Sequence, residues 1–205
     1  MVTKAWRRIS GLNTLKKCVY LISPNKINRN FYKDLDEVLS YGNVKYFQLR
    51  LKKIKLKNLI KVSNKIRFIT SKHKVKFLIN DNYIAASKLK IDGCHIGQFD
   101  GPIKAAKKKL KNKILGITCH NSIQLAKNAI KDKASYLAFG SFFKSKLKPN
   151  AKKADLGILN WAKKNTKKPI VAIGGINNLN YKRLLRSGAK YIAISSFIWD
   201  NPKLK

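Results

Sequence analysis

The feature that most constrains the fold is a regular alternation of short apolar runs with amphipathic stretches along the 205 residues. Several runs are apolar almost throughout, which is typical of parallel β-strands covered on both faces. Eight such runs predict strands at residues 18–22, 45–49, 76–80, 93–96, 114–118, 136–140, 170–173 and 191–195.

Between the strands, apolar residues recur at the spacing of a helix face. Examples are Leu56, Leu59, Ile60, Ser63 and Ile66, then Ile123, Ala126 and Ile130, then Tyr181, Leu184 and Leu185. Gly188 is placed to end the last of these helices. Strand and helix alternate with a period of about 26 residues, which predicts a single α/β domain folded as a (β/α)8 TIM barrel. A doubly wound open sheet is the alternative. We expect residues 1–17 to form an N-terminal helical extension and residues 18–205 the catalytic barrel.

Composition narrows the functional class. The chain carries 46 Lys and Arg against 9 Asp and Glu, a net charge of +37, which attracts phosphorylated metabolites as well as nucleic acid and anionic membranes. The lysines are spread along the chain, with one dense run at residues 104–113, so we expect no specific nucleic-acid partner. No apolar run is long enough to span a membrane, and a cytoplasmic enzyme with small-molecule substrates is expected. The three cysteines lack metal-site spacing and are expected to be buried thiols.

Polar residues cluster where the predicted strands end, which is where barrel enzymes carry their chemistry. Gln48, Arg50 and Lys52 alternate along one predicted strand face, so all three side chains can point into one pocket, where the two cations suit a diphosphate. Asp81 and Asp100 follow neighbouring strands and suit a divalent cation, although helix capping is the alternative for either one. Two further groups follow later strands. They are His120, and Gly174-Gly175 with a helix predicted directly after it.

An ordered set of six motifs resembles the thiamine phosphate synthase family, within a broader group that includes a thiazole tautomerase. In chain order the motifs are QLRLK, LINDN, DGCHIGQFD, LGITCHNS, AFGSFF…LKPNA and AIGGI…AISS, over residues 18–198. The resemblance implies a (β/α)8 barrel enzyme, a transferase that joins hydroxymethylpyrimidine diphosphate to a thiazole phosphate. The products are thiamine phosphate and diphosphate, and the reaction depends on Mg²⁺.

The resemblance also implies roles for individual residues. Arg50, Lys52 and Lys148 would act on the leaving diphosphate, and Asp81 and Asp100 would hold Mg²⁺. The implied substrate-binding set is Gln48, Leu49, Arg50, Leu51, Lys52, Asn80, Thr118, Ser145, Lys146, Leu147, Lys148, Gly175, Ser195 and Ser196. Thr118 stands where the family usually has serine.

One segment departs from the family pattern. Leu147 stands where the family has a threonine, which removes a hydroxyl from the side expected to bind the thiazole phosphate. Two alternatives remain at this stage: a tautomerase-like barrel enzyme that moves a proton through His120, and a basic nucleic-acid-binding protein. The sequence does not specify the oligomeric state, and a homo-oligomer is one possibility.

Overall fold

The computed structural model describes residues 17–144 and 153–200. Eight parallel strands, each followed by a helix, close into a barrel in which every strand pairs with its neighbours in chain order and β8 pairs with β1. The elements are β1 Val19–Ile22, α1 Phe31–Ser40, β2 Val44–Leu49, α2 Leu56–Lys72, β3 Lys76–Asn80, α3 Tyr83–Lys88, β4 Gly93–Ile96, α4 Ile103–Leu110, β5 Ile114–His120, α5 Ile123–Lys131, β6 Tyr136–Phe139, α6 Gly157–Asn165, β7 Ile170–Ile173, α7 Tyr181–Arg186, β8 Tyr191–Ile194 and α8 Ser196–Trp199. The predicted barrel is confirmed, and the open sheet is wrong because β1 and β8 pair.

The strands bury both faces, as their apolar runs indicated. One face packs against the helices in a large apolar layer that includes Leu21, Phe47 and Leu115. The other face fills the barrel interior with a cluster that includes Tyr20, Tyr46, Tyr136 and Tyr191. The interior therefore contains the hydroxyl groups of four tyrosines.

Glycines on two strands allow close packing: Gly116 makes room for the Tyr136 ring, and Gly93 makes room for Ile114 of the neighbouring strand. A Cβ on Gly116 would lie 1.9 Å from Cζ of Tyr136, and a Cβ on Gly93 would lie 2.0 Å from the carbonyl oxygen of Ile114. Real Cβ atoms do not approach other atoms this closely, so the Tyr136 ring occupies space that only glycine on β5 leaves open.

The helices follow their sequence patterns, except that three apolar residues of those patterns are exposed: Leu56, Ile60 and Ile123. In α2 the buried face is Leu59, Ser63, Ile66 and Thr70, whereas Leu56 and Ile60 are exposed. At the end of α7 the Gly188 amide donates to the carbonyl of Leu185 with φ at +112°, so this glycine ends the helix as predicted.

Two further predictions concern the N-terminal extension and the three cysteines. The predicted helical extension falls at residues 1–17, of which only Lys17 lies within the described residues, so that prediction stays open. Cys18, Cys94 and Cys119 are all buried and free, as expected, and burial raises the pKa of the Cys119 thiol to about 12. Within the described ranges, no helix combines the length and apolarity needed to cross a bilayer.

Candidate active site

The strands bring most of the candidate residues to one end of the barrel, which we call the mouth: the end at which the strands finish. Gln48 lies on β2 and is 2% exposed, so its amide reaches the barrel interior. Arg50 and Lys52 were predicted on the same strand face, and this is wrong, because the β2 ladder ends at the pair Leu49 and Ile79. Both cations lie on the loop that follows β2.

The loop nevertheless directs both cations to the mouth. The Arg50 amide donates to Oγ of Ser23 at 2.9 Å, and its guanidinium donates to Oδ1 of Asn25 at 3.0 Å. These bonds tie Arg50 to the loop after β1. Arg50 and Lys52 both act on the pKa of Asp81 and lower it, so both positive charges lie near that carboxylate.

The leucines of the same segment face away from the interior. Leu49 is buried in the layer between strands and helices, and Leu51 packs against that layer. Their side chains also line a cavity of about 320 Å³ whose rim includes Lys52, Asn80 and Asp81. Either leucine can therefore contact a substrate in the barrel interior only through its backbone atoms.

Neither candidate metal ligand caps a helix. The N-cap of α3 is Asn82, whose side chain accepts from the amide of Ala85 at 2.8 Å. Asp81, one residue earlier, has φ at +65°. The N-cap of α4 is Pro102, whereas the Asp100 carboxylate accepts from the amide of Gly97 at 2.6 Å. The capping alternative is therefore wrong for both carboxylates.

The two carboxyl groups lie against each other. Partial burial, followed by the hydrogen bond and the repulsion from Asp100, raises the pKa of Asp81 to about 6 from an ordinary value of 3.8. Two adjacent carboxylates repel at neutral pH, and a bound cation relieves that repulsion. Hard oxygen ligands of this kind fit Mg²⁺, which binds through one or two carboxylates and keeps water or phosphate oxygens in its other positions. Among the described residues, no group of three or more His, Cys, Asp or Glu side chains is arranged to hold a metal.

Asn80 is the last residue of β3, and Thr118 lies two residues before the end of β5. Asn80 is half-buried and pairs in register with His95 of β4. The Thr118 hydroxyl lies 2.8 Å from Nε2 of His95, beside an irregularity in the pairing of β5 with β6. Further hydrogen bonds lie deeper in the barrel, between Tyr20 and Tyr136 and between Tyr136 and His95. The sequence did not indicate the two tyrosines as site residues.

The opposite side of the mouth is built by β6, β7 and β8. A Cβ on Gly175 would lie 2.4 Å from the carbonyl oxygen of Lys144, so this glycine allows two loops to approach. The prediction of a helix directly after Gly175 is wrong, because α7 begins at Tyr181 and the intervening loop is held by a bond from Asn180 to the Gly175 carbonyl. The Ser195 hydroxyl donates to the carbonyl of Ser23, and Ser196 is the first residue of α8.

The remaining candidate residues are the four at positions 145–148 and His120. Ser145, Lys146, Leu147 and Lys148 lie outside the described residues, so their predicted roles stay predictions. His120 ends β5 as an exposed residue with φ at +51°, and its carbonyl accepts from the amide of Gly140.

A second depression lies at the other end of the barrel. It has a volume of about 930 Å³ and is lined by residues between α3 and α4, including Asp92, Lys108 and Lys113. The polar residues that follow the strands are absent from its lining. The mouth is therefore the better candidate for chemistry.

Comparisons with known proteins agree with this assignment. A protein-family model described as thiamine monophosphate synthase matches residues 19–198. A thiamine-phosphate synthase of Pelagibacter ubique is 56% identical over 191 residues, which cover 93% of this chain and 92% of that protein. One from Erythrobacter litoralis is 38% identical over 187 residues, covering 89% and 88%. The solved structure of a thiamine phosphate pyrophosphorylase from Pyrococcus furiosus superposes with a TM-score of 0.82 at 28% identity, covering 92% of this chain and 90% of that one.

Proposed function

This chain belongs to the thiamine monophosphate synthase family, and we propose that it joins a hydroxymethylpyrimidine diphosphate to a thiazole phosphate. In this reaction the bond between the pyrimidinylmethyl carbon and the diphosphate oxygen breaks, and the electron pair leaves with the diphosphate. The lone pair of the thiazole nitrogen then forms the new carbon–nitrogen bond. The products are thiamine phosphate and diphosphate, and no protein nucleophile is required.

The observation that carries the proposal is the meeting of two cations with two carboxylates at the mouth. Arg50 and Lys52 lie near Asp81, which contacts Asp100. A leaving diphosphate develops negative charge, and fixed positive groups stabilise that charge in the transition state. A tautomerase that uses His120 has no diphosphate to release and gives no reason for this constellation.

Different residues would bind the diphosphate, the metal ion and the pyrimidine ring. Arg50, whose position is fixed by Ser23 and Asn25, binds the diphosphate, with Lys52 beside it and Lys148 expected from the family pattern. Asp81 and Asp100 would hold Mg²⁺, which supplies charge stabilisation of the leaving diphosphate when bound. Asn80, Gln48 and Thr118 bind the pyrimidine end of the substrate.

The thiazole phosphate is assigned to the other side of the mouth. Gly175, Ser195 and Ser196 lie there, and the family pattern assigns Ser145, Lys146 and Leu147 to the same phosphate. Backbone amides and hydroxyl groups of this kind bind phosphate without a full charge. The methylene carbon would then lie between the two sides.

Product formation tests the proposal. The purified chain is incubated with both substrates and Mg²⁺, and the product mass is measured, with omission of each substrate and of Mg²⁺ as controls. We expect a product with the mass of thiamine phosphate only when both substrates and Mg²⁺ are present. Conversion of a thiazole substrate alone, without diphosphate release, would instead indicate a tautomerase.

A further inference from the structure

Five side chains form a continuous hydrogen-bonded chain through the barrel interior, which we call the interior chain. Nε2 of Gln48 donates to the Tyr20 hydroxyl at 3.0 Å, which lies 2.8 Å from the Tyr136 hydroxyl. The Tyr136 hydroxyl lies 2.9 Å from Nδ1 of His95, whose Nε2 lies 2.8 Å from Oγ1 of Thr118. Its two ends are substrate-binding residues in the proposed function, on which this inference rests.

The middle of the interior chain is held rigidly. The Tyr136 ring fills the space left by Gly116 on β5 and stacks on the His95 ring, with an interplanar angle of 13°. Tyr20 and Tyr136 are buried, and burial raises the pKa of both hydroxyls well above the ordinary value. Each tyrosine therefore contributes one proton that stays on its oxygen.

The protons available on each group determine which partner donates in every hydrogen bond of the interior chain. The Gln48 NH₂ group can only donate, so the Tyr20 hydroxyl accepts there and donates its own proton to Tyr136. Tyr136 then donates to Nδ1 of His95, which places the imidazole proton on Nε2. The Nε2–H group donates to Thr118, so the hydroxyl proton of Thr118 must point to another acceptor.

We propose that Tyr20, Tyr136 and His95 are positioning residues that fix the Thr118 hydroxyl as a hydrogen-bond donor toward the bound pyrimidine. At the other end, the amide nitrogen of Gln48 is engaged with Tyr20, so the group that Gln48 offers is its carbonyl oxygen, an acceptor. An aminopyrimidine matches this pair, because its ring nitrogens accept and its amino group donates. The interior chain thereby sets which ring edge the site recognises.

The tautomer of His95 tests the direction without any need for turnover. The chain has three histidines, so ¹⁵N NMR of the resting protein gives three imidazole spectra, and a His95→Gln variant assigns the one that belongs to His95. We expect a neutral ring with its proton on Nε2 at neutral pH. A proton on Nδ1 would mean that His95 donates to Tyr136 and accepts from Thr118, so that Thr118 can only accept from the substrate, which overturns the proposal. A doubly protonated ring would also overturn it.

Kinetics test the positioning role. Tyr136→Phe should raise the KM for the pyrimidine diphosphate about five- to tenfold, the value of one oriented hydrogen bond, and leave the KM for the thiazole phosphate unchanged. The matched control is Tyr191→Phe, which removes a hydroxyl from the same interior cluster but outside the interior chain. It should change neither KM. Equal effects of the two variants on both substrates would show a structural role only.

A double-mutant cycle separates action through Thr118 from general loosening of the barrel. Thr118→Val removes the hydroxyl at nearly constant volume, and Thr118→Ser should restore pyrimidine binding. In the Thr118→Val background, Tyr136→Phe should raise the KM for the pyrimidine diphosphate no further. If the two substitutions instead have additive effects on that KM, the proposal is overturned. If Tyr136→Phe does not fold, Tyr20→Phe takes its place in the cycle. Absence of thiamine phosphate from the wild-type reaction would refute the proposed function, whereas the NMR result would still decide the direction of the interior chain.

Discussion

The Asp81 carboxyl contacts the Asp100 carboxyl at the mouth of the barrel, and partial burial together with this contact raises the pKa of Asp81 to about 6. The raised pKa means that the fold disfavours the charged form of Asp81, so ionised Asp81 destabilises the metal-free protein at neutral pH. Neither carboxylate caps a helix, because the N-caps of α3 and α4 are Asn82 and Pro102, so the pair is available to bind a cation.

The first prediction concerns Mg²⁺ and thermal stability. Asp81→Asn should raise the Tm of the metal-free protein by about 2–4 °C, which corresponds to about 1 kcal/mol in a chain of this size. Added Mg²⁺ should raise the Tm of the wild type and leave that of Asp81→Asn unchanged, since only the former binds it. Thermal melts with chelator and with Mg²⁺ measure both effects. A wild-type Tm that does not respond to Mg²⁺ would remove this pair as the metal site.

The second prediction concerns the cations of the diphosphate site. Arg50→Ala and Lys148→Ala should each cost about 2–4 kcal/mol of transition-state stabilisation, as the loss of a preorganised donor does. This corresponds to a decrease of roughly thirty- to a thousandfold in kcat/KM. The control is Lys108→Ala, which removes the same charge from the opposite end of the barrel. If all three variants lose rate equally, the cations act only through the overall charge.

The third prediction concerns Leu147. Threonine in the family offers a hydroxyl to the thiazole phosphate, and leucine does not, a loss of about 1.5–3 kcal/mol for a bond to a charged group. Lys144 and Lys146 are close in sequence and compensate as flexible point charges, which salt screens. The KM for the thiazole phosphate should therefore rise steeply with ionic strength, and less steeply in Leu147→Thr. A flat response in both proteins would show that this segment does not bind the phosphate.

The fourth prediction concerns the space beside Tyr136. A Cβ on Gly116 would lie 1.9 Å from Cζ of Tyr136, whose ring is buried and cannot shift cheaply. We expect Gly116→Ala to lower the free energy of unfolding by about 3 kcal/mol or more. Gly42→Ala is the control, since no atom lies within 4 Å of its added Cβ and only φ at +77° opposes it. Its cost should be about 1 kcal/mol, measured by denaturant unfolding.

Much of the architecture could be predicted from the sequence because parallel strands buried on both faces leave a simple apolar signal. The predicted ranges 76–80, 93–96 and 170–173 agree with β3, β4 and β7 at every residue. The error at Arg50 and Lys52 has a physical cause. Alternation of residue types resembles a strand, whereas the strand continues only while its neighbour supplies backbone partners, and β3 supplies none beyond Ile79.

The interior chain could not be predicted in the same way. Tyr20, His95 and Tyr136 lie on strands far apart in sequence, and their contacts depend on which residues share a layer inside the closed barrel. The one available signal was polar groups within runs that are otherwise apolar. That signal alone does not distinguish a tyrosine that binds another tyrosine from one that faces solvent.

The central claim is that the carboxylate pair at the mouth is required for synthesis of thiamine phosphate. Turnover at saturating Mg²⁺ in Asp81→Asn, compared with Asp92→Asn, tests it most directly. Asp92 is a carboxylate at the opposite end of the barrel that binds Lys76 and the amide of Phe77. Asparagine also tolerates the φ of +65° at position 81, so the fold is retained. We predict that Asp81→Asn loses at least about a hundredfold in kcat, the scale of one preorganised electrostatic group, while Asp92→Asn keeps wild-type turnover. Equal turnover in the two variants would contradict the account.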